Sequence, residues 1–371
     1  MKIKDVIQSL EELAPQAYAE NFDNTGLLVG DIQTEVSGIL VTLDTLEAVV
    51  DEAITANCNL IVSFHPIIFK GLKKIVGNTY VERVILKAIK NDIAIFAIHT
   101  ALDNAWNGVN AMMCEKLGLK NREMLIPQEG TIRKLVTFVP SEKAAEVREA
   151  LFAAGAGNIG NYSHCSFNSS GMGSFNGNKE SNPTIGTKGE THFEAEIQIG
   201  VIFQKHLQSK VLSSLFQTHP YEEVAYELTT LNNTNQHIGM GMIGEFEIPM
   251  AEMDFLSHLK STFKTGCVRH SSLLQKKIKK VAVLGGSGSF AIAAAKANGA
   301  NAFVTADLKY HDFFNAENDI LLTDVGHYES EQYTKELLVA HLSKKITNFA
   351  PALPKGKVVL SQVNTNPITY Y

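Results

Sequence analysis

Cysteine is scarce in this 371-residue chain: Cys58, Cys114, Cys165 and Cys267 are scattered and never in CxxC spacing. That excludes a CxxC redox or zinc motif and leaves buried free thiols in a reducing cytoplasm as the expectation. No 18-residue apolar stretch occurs, so no membrane-spanning helix is expected. The opening MKIKDVIQSLEELAPQ reads as an amphipathic helix, without the unbroken apolar region of a secretory signal. There is no run of five like charges, and the net charge of -6 argues against a nucleic-acid partner. What remains is an ordinary globular composition, long enough for two or three domains with a sizeable core.

Short Val/Ile-rich runs alternate with helical patterns at both ends. SGILVTL, NLIVSF and NDIAIFAI lie near DTLEAVVDEAITAN and TYVERVILKAIK; KKVAVLGG, NAFVTAD and NDILLTDVG repeat the style near the C-terminus. Such alternation predicts α/β architecture with mainly parallel sheets covered by helices. The repetition extends to detail. Asn91-Asp92 precedes His99 as Asn318-Asp319 precedes His327, and a carboxylate follows each histidine four residues on, Asp103 and Glu331. This reads as an internal duplication across about 240 residues, giving two related α/β halves; chance convergence of two α/β units is the alternative.

Between the halves the pattern changes. RKLVTFVP, a helix over 141–154, a Gly/Asn/Ser-rich stretch from Gly155 to Gly189, FEAEIQIGVIF, a helix over 206–218 and VAYELTTL give a strand–helix–strand–strand–helix–strand order. That order predicts a ferredoxin-like α+β insert, its Gly-rich stretch forming a hairpin with a loop. The expected divisions are 1–128 and 245–371 for the two halves of a metal-binding domain, and 129–244 for the insert.

Three strands end in histidine: NLIVSF at His65, NDIAIFAI at His99 and NDILLTDVG at His327. In open α/β sheets, loops at the carboxyl ends of strands converge on one crevice. A helix starting at Gly326 would put His327 and Glu331 on one face. Asp103 and Glu331 brought together would repel until one took a proton or a divalent cation stood between them. Imidazole plus carboxylate suits Zn, Fe, Mn, Ni or Co, as one ion or as a pair. The bland reading of any one of these histidines is a hydrogen-bonded residue at a strand end. GGSGSF, after a strand, could cradle a phosphate or simply make a tight turn, for it is neither GxGxxG nor a P-loop. His164 and Cys165 lie in the Gly-rich stretch without an evident partner base.

At these residues the sequence resembles the Nif-three-like family of dinuclear metal proteins, whose members carry the name GTP cyclohydrolase 1 type 2 homolog. APQAYAENFDNTGLLVG, FHPIIF, IHTALDNAWNGVN, VLGGSGS, TADLKYHD and DVGHYESE follow in the family's order over nearly the whole chain. GNIGNYSHCSF, NPTIG and HPYEEVAYEL resemble the PII-like or CutA-like domain of its longer members. The resemblance implies His65 and Asp103 on one ion, His327 on a second and Glu331 shared or nearby. It puts His99 in the same cavity as a ligand or proton relay. By its place on the cavity side of the C-terminal half, His311 is expected to contact substrate or move protons, and His219 in HPYEEV to belong to the insert fold or an interface. The resemblance also implies a metal-dependent hydrolase of a purine nucleotide, and a trimer-based homo-oligomer, a hexamer, with a small-effector site in the insert. Departures are Phe22 for tryptophan, Ala306 for glycine and, above all, Phe64, where the family has the first of two adjacent histidines. Phenylalanine has no lone pair, so the second ion loses an imidazole. Loss of that ligand favours the rival reading of a non-catalytic, metal-binding regulatory oligomer; a nicotinamide enzyme built on GGSGSF lacks its fingerprint.

Overall fold

Each half is a run of short buried strands whose ends feed helices or tight turns. The computed structural model describes residues 1–349 and 358–371. The chain opens with α1 (Ile3–Leu13), β1 (Gly26–Val29), β2 (Ile39–Thr42), α2 (Glu47–Thr55), β3 (Leu60–Ser63) and α3 (Tyr80–Lys90). Then come β4 (Ala94–Ala97), α4 (His99–Asp103), α5 (Val109–Leu117) and β5 (Lys120–Gln128). The middle segment holds β6 (Ile132–Pro140), α6 (Ala144–Ala153), β7 (Phe167–Asn176), β8 (Thr191–Gln204), α7 (Gln208–Thr218) and β9 (Tyr226–Leu231). The chain continues with β10 (Asn235–Ala251), α8 (Glu252–Thr262), β11 (Arg269–His270), β12 (Lys277–Ser287) and α9 (Ile292–Ala297). The last elements are β13 (Ala302–Ala306), β14 (Leu321–Asp324), α10 (His327–Glu331), α11 (Thr334–Phe349) and β15 (Val358–Leu360).

The first sheet runs β1-β4-β3-β2-β15, with β4, β3, β2 and β15 parallel and β1 antiparallel at the edge. The second runs β11-β14-β13-β12-β10-β5, with β14, β13 and β12 parallel and β11 antiparallel to β14. Both therefore carry the same parallel triplet in the same order, flanked by an antiparallel strand on the same side. The match reaches single hydrogen bonds. Asn59 enters β3 and its carbonyl accepts from Ala94 at the start of β4; Asn301 enters β13 and its carbonyl accepts from Leu321 at the start of β14. The Asn59 side-chain oxygen accepts from the Ser37 amide, and that of Asn301 from the amides of Lys279 and Lys280. Of the parallel strands, β2, β3, β4, β13 and β14 are buried along their whole length, which is why they read as continuous apolar runs rather than alternations.

The sequence divides into two compact units, Met1–Pro127 with Gln236–Tyr371, and Gln128–Asn235. In the second, the all-antiparallel sheet β7-β8-β6-β9 has its own core, in which Leu135, Val139, Val147, Leu151, Ile199 and Leu215 pack together. Position 244, drawn from sequence as the end of the insert, falls inside β10. One continuous strand from Asn235 to Ala251 hides the division there. Among the described residues no helix is long and apolar enough to cross a membrane. Cys58 and Cys114 are buried free thiols, as expected; Cys165 is partly exposed and Cys267 exposed.

Candidate metal centre

The carboxyl ends of β3, β4, β13 and β14 deliver the site. β3 runs through Phe64 to His65; β4 ends before His99, which opens α4 with φ of 29°. β14 ends at Asp324, and Gly326, at φ 93°, turns the chain into α10 with His327 and Glu331 four apart on one face. A side chain at 326 would collide with Glu329, a Cβ there lying 2.3 Å from its Oε2.

The geometry gathers two imidazoles onto one carboxylate oxygen. His65 Nε2 and His327 Nε2 each stand 3.2 Å from Oε2 of Glu331. That buried oxygen is ion-paired to both rings when they are protonated, whereas the buried Oδ1 of Asp103 has no hydrogen-bond partner. Among the described residues, His65, His327 and Glu331 form the one group of three or more histidines, cysteines or carboxylates with ligand atoms mutually within 4.8 Å. An unpartnered Asp103 oxygen buried beside a Glu331 oxygen that faces two imidazole nitrogens is a costly concentration of negative charge, and it fits a divalent cation. A mixed imidazole–carboxylate set of this kind suits Zn or a first-row metal from Mn to Ni.

Each imidazole is held from behind by a carboxylate. Asp44 Oδ1 lies 2.8 Å from Nδ1 of His65, Asp307 Oδ2 lies 2.7 Å from Nδ1 of His327, and Asp23 Oδ1 lies 2.8 Å from Nδ1 of His99. With Nδ1–H donated, Nε2 is the free nitrogen of each ring. Asp23 also accepts from the amide and hydroxyl of Thr100, and Asp44 from the hydroxyl of Thr365. Sequence reasoning missed these three aspartates. One signal was present: NLIVSFH and NAFVTAD align residue for residue, so Asp307 is the counterpart of His65 in the duplicated half.

The electrostatics show what the pocket lacks. Burial disfavours charge on His65, but the charge of Glu331 and the hydrogen bond to Asp44 hold its pKa at about 10. His327 is likewise opposed by burial and raised to about 11 by Asp307 and Glu331. Burial would raise Asp23, yet its bonds to His99 and Thr100 keep it at about 2. Of the two buried carboxylates, Glu331 is held low against burial by the two imidazolium rings, while burial and the Glu331 charge push Asp103 well up. The two protonated rings thus stand where positive charge is needed.

A cavity of about 210 Å³ opens here, lined by Phe22, His99, Asp103, Phe290, His327 and Glu331 among others. His65, Asp103, His99, His327 and Glu331 are therefore brought together. His311 is not: it is exposed on the 3₁₀ turn Tyr310–Ala316, its ring against Tyr310 and Phe314. The pattern around it placed it near a strand end, but the turn carries it away from the lining. Phe64 is fully buried, its ring centroid 4.9 Å from that of His65 and 5.6 Å from that of His99. The GGSGSF segment is a packed turn rather than an open cradle. The Gly285 amide donates to Asn110 Oδ1 and the Gly286 amide to Ser330 Oγ, and a Cβ on Gly286 would lie 2.5 Å from Glu331 Oε1. His164 and Cys165 belong to the other unit; the His164 ring lies against Phe152, and its Nδ1 is 3.1 Å from Ser163 Oγ.

Residues 1–367 match the Duf34/NIF3 (NGG1p interacting factor 3) family. A Bacillus subtilis (strain 168) protein named GTP cyclohydrolase 1 type 2 homolog is 36% identical over 369 residues, covering 99% of this chain and 98% of that one. A protein of the same name from Halalkalibacterium halodurans is 40% identical over 367 residues, covering 98% of each. The crystal structure of a Bacillus cereus protein related to NIF3 superposes with a TM-score of 0.88 at 37% identity, covering 100% of this chain and 99% of that chain. Matched over nearly its whole length, by profile, sequence and architecture alike, the chain belongs to the Duf34/NIF3 family.

Proposed function

We propose that this protein is a metal-dependent hydrolase of a small molecule, with a purine nucleotide as the substrate class suggested by its relatives' name. The observation that carries the reading is the convergence of two imidazole Nε2 atoms on the buried Oε2 of Glu331, with the unpartnered Oδ1 of Asp103 on the same cavity. His65, His327 and Glu331 would hold the ion, with Asp103 at hand for it or for a second. A divalent ion there supplies Lewis acidity and lowers the pKa of water towards neutrality. The protein's own part begins with orientation: Asp44 and Asp307 fix the rings so that both Nε2 atoms face the ion. His99 lines the cavity with Nδ1 committed to Asp23, which leaves Nε2 to take a proton from an attacking water and return it to the leaving group. His311 has no part in this scheme.

Incubation of the purified protein with GTP and a panel of other nucleotides, with and without chelator, tests the reading. Turnover that chelator abolishes and that Glu331→Ala lacks is expected; turnover indifferent to both would overturn it. The second reading, a metal-binding regulatory protein, is favoured by one observation, the buried phenyl ring of Phe64 beside His65 and His99. Under it, bound metal persists with no turnover across the panel. Phe64→His separates a crippled second site from no site: metal per chain rises if position 64 is a ligand position, and stays level if it is not. The same proposal takes in a trimer-based hexamer and a PII-like role for the 128–235 unit. Light scattering at six chain masses supports that assembly, and a monomer mass contradicts it.

A further inference from the structure

The 128–235 unit contains a larger cavity than the metal centre, about 700 Å³, which the hydrolase reading does not use. It lies on the face of the sheet turned away from α6 and α7. Glu196 and Gln198 stand on that face, while the alternate residues Ile197 and Ile199 pack into the core with the helices. Its roof is the 177–190 loop of the β7–β8 hairpin. The Asn182 amide donates to Glu222 Oε1 at 2.6 Å and the Thr184 hydroxyl to the Pro220 carbonyl at 2.8 Å, tying the loop down onto the HPYEE turn.

The walls combine three aromatic rings, Phe138, Phe175 and Tyr221, with a carboxylate, Glu196, that is only 9% exposed. Phe175 and Tyr221 meet edge to face with centroids 5.8 Å apart. The HPYEE motif builds this corner: His219 donates through Nε2 to the Phe138 carbonyl at 2.9 Å and accepts the Tyr221 amide at Nδ1, 3.1 Å. Tyr221 then donates its hydroxyl to Glu196 Oε1 at 2.9 Å. Glu196 lies over the bare backbone of Gly173, where a Cβ would come within 2.3 Å of its Oε2. No lysine, arginine or histidine lines the cavity, and Glu222 and Glu223 add negative charge to it. Glu196 has no ion pair among the described residues.

A carboxylate this buried is ordinarily paired with a cation. A metal ion is a poor candidate, since the described residues that could hold one cluster elsewhere, at His65, His327 and Glu331. Aromatic faces around an anionic group are the surroundings that stabilise an organic ammonium, whose charge sits against the ring π-faces and whose carbon skeleton takes the apolar wall. We infer that the cavity over Glu196 is a binding site for a small organic cation, an amine or quaternary ammonium, held by Glu196 and the rings of Phe138, Phe175 and Tyr221. This goes beyond the metal chemistry and stands or falls independently of it.

Calorimetric titration of the full chain with choline, benzylamine and spermidine tests the site, with 3,3-dimethylbutan-1-ol as the uncharged counterpart of choline. At least one cation is expected to bind, the alcohol to bind about tenfold more weakly or not at all, and Glu196→Gln to weaken the cation about tenfold or more. Gly171→Leu guards against a merely unfolded variant. Gly171 pairs directly with Glu196 across the strands, and a Cβ there meets nothing within 4 Å, so a larger side chain starts into open space on the cavity side. It is expected to abolish binding with an unchanged melting temperature. No binding by any of the three cations, equal binding of alcohol and choline, or full affinity in either variant would overturn the inference.

Discussion

Asp44, Asp23 and Asp307 do at the residue scale what the histidines cannot do for themselves. A free imidazole spins and exchanges tautomers; one whose Nδ1–H is donated to a fixed carboxylate presents a single nitrogen in a single direction. Asp44 is itself fixed by Thr365, so Asp44→Asn is expected to weaken metal binding about 10- to 100-fold, read by competition with a chromophoric chelator. Unchanged affinity would mean that the His65–Asp44 contact orients nothing. The two raised histidines also set a pH signature. Their folded pKa values, about 10 and 11, lie above the ordinary value of about 6.5. In the metal-free protein their ion pairs therefore stabilise the fold fully below that ordinary value and fade only as pH rises through about 10 to 11. Because an ion needs both rings deprotonated, its binding at neutral pH is expected to release about two protons and to tighten as pH rises. Titration in buffers of different ionisation enthalpy checks this, and a heat independent of buffer would contradict it.

At the scale of elements, the site is made by what happens just after strands end. Periodicity alone exposed the strands, because parallel strands buried on both faces have no choice but to be apolar. The duplicated HxxxD and HxxxE spacing exposed the helical turns that follow them. Less visible was the GGSGSF turn between β12 and α9. From the chain it could be read as a phosphate cradle; in the fold its amides are taken by Asn110 and Ser330, and its glycines exist to let Glu331 through. Gly286 sits at φ 66° with Glu331 Oε1 2.5 Å from where a Cβ would be. Gly286→Ala is therefore expected to cost about 1–3 kcal/mol through the strained backbone. It should also displace Glu331, lowering metal affinity; denaturant unfolding and metal titration read the two effects separately. A variant as stable and as metal-avid as the parent would show that the turn does not constrain the carboxylate. His311 was misleading for a related reason. TADLKYHD follows a strand end as the converging histidines do, but the capped 3₁₀ turn after Lys309 swings residue 311 to the surface, and no spacing rule encodes that.

For the molecule as a whole, the duplication explains why a divided sequence makes one site. Two copies of a β3-β4 type strand pair, one ending in His65 and His99 and the other in Asp307 and His327, place their loops at a common centre. The α/β class, the two related halves and the convergence of His65, Asp103, His327 and Glu331 were legible because charge and period are written locally. The supporting aspartates were not, because Asp23 and Asp44 become partners of histidines only through tertiary contact. The central claim is that these side chains hold a divalent cation, and metal content per chain after exhaustive dialysis against metal-free buffer tests it most directly. Wild-type protein is expected to retain at least about one equivalent and Glu331→Gln, equal in shape but uncharged, to retain little. Metal-free wild-type protein that takes up none on addition of Zn, Fe, Mn, Ni or Co, or a Glu331→Gln variant that keeps the full complement, would contradict the account.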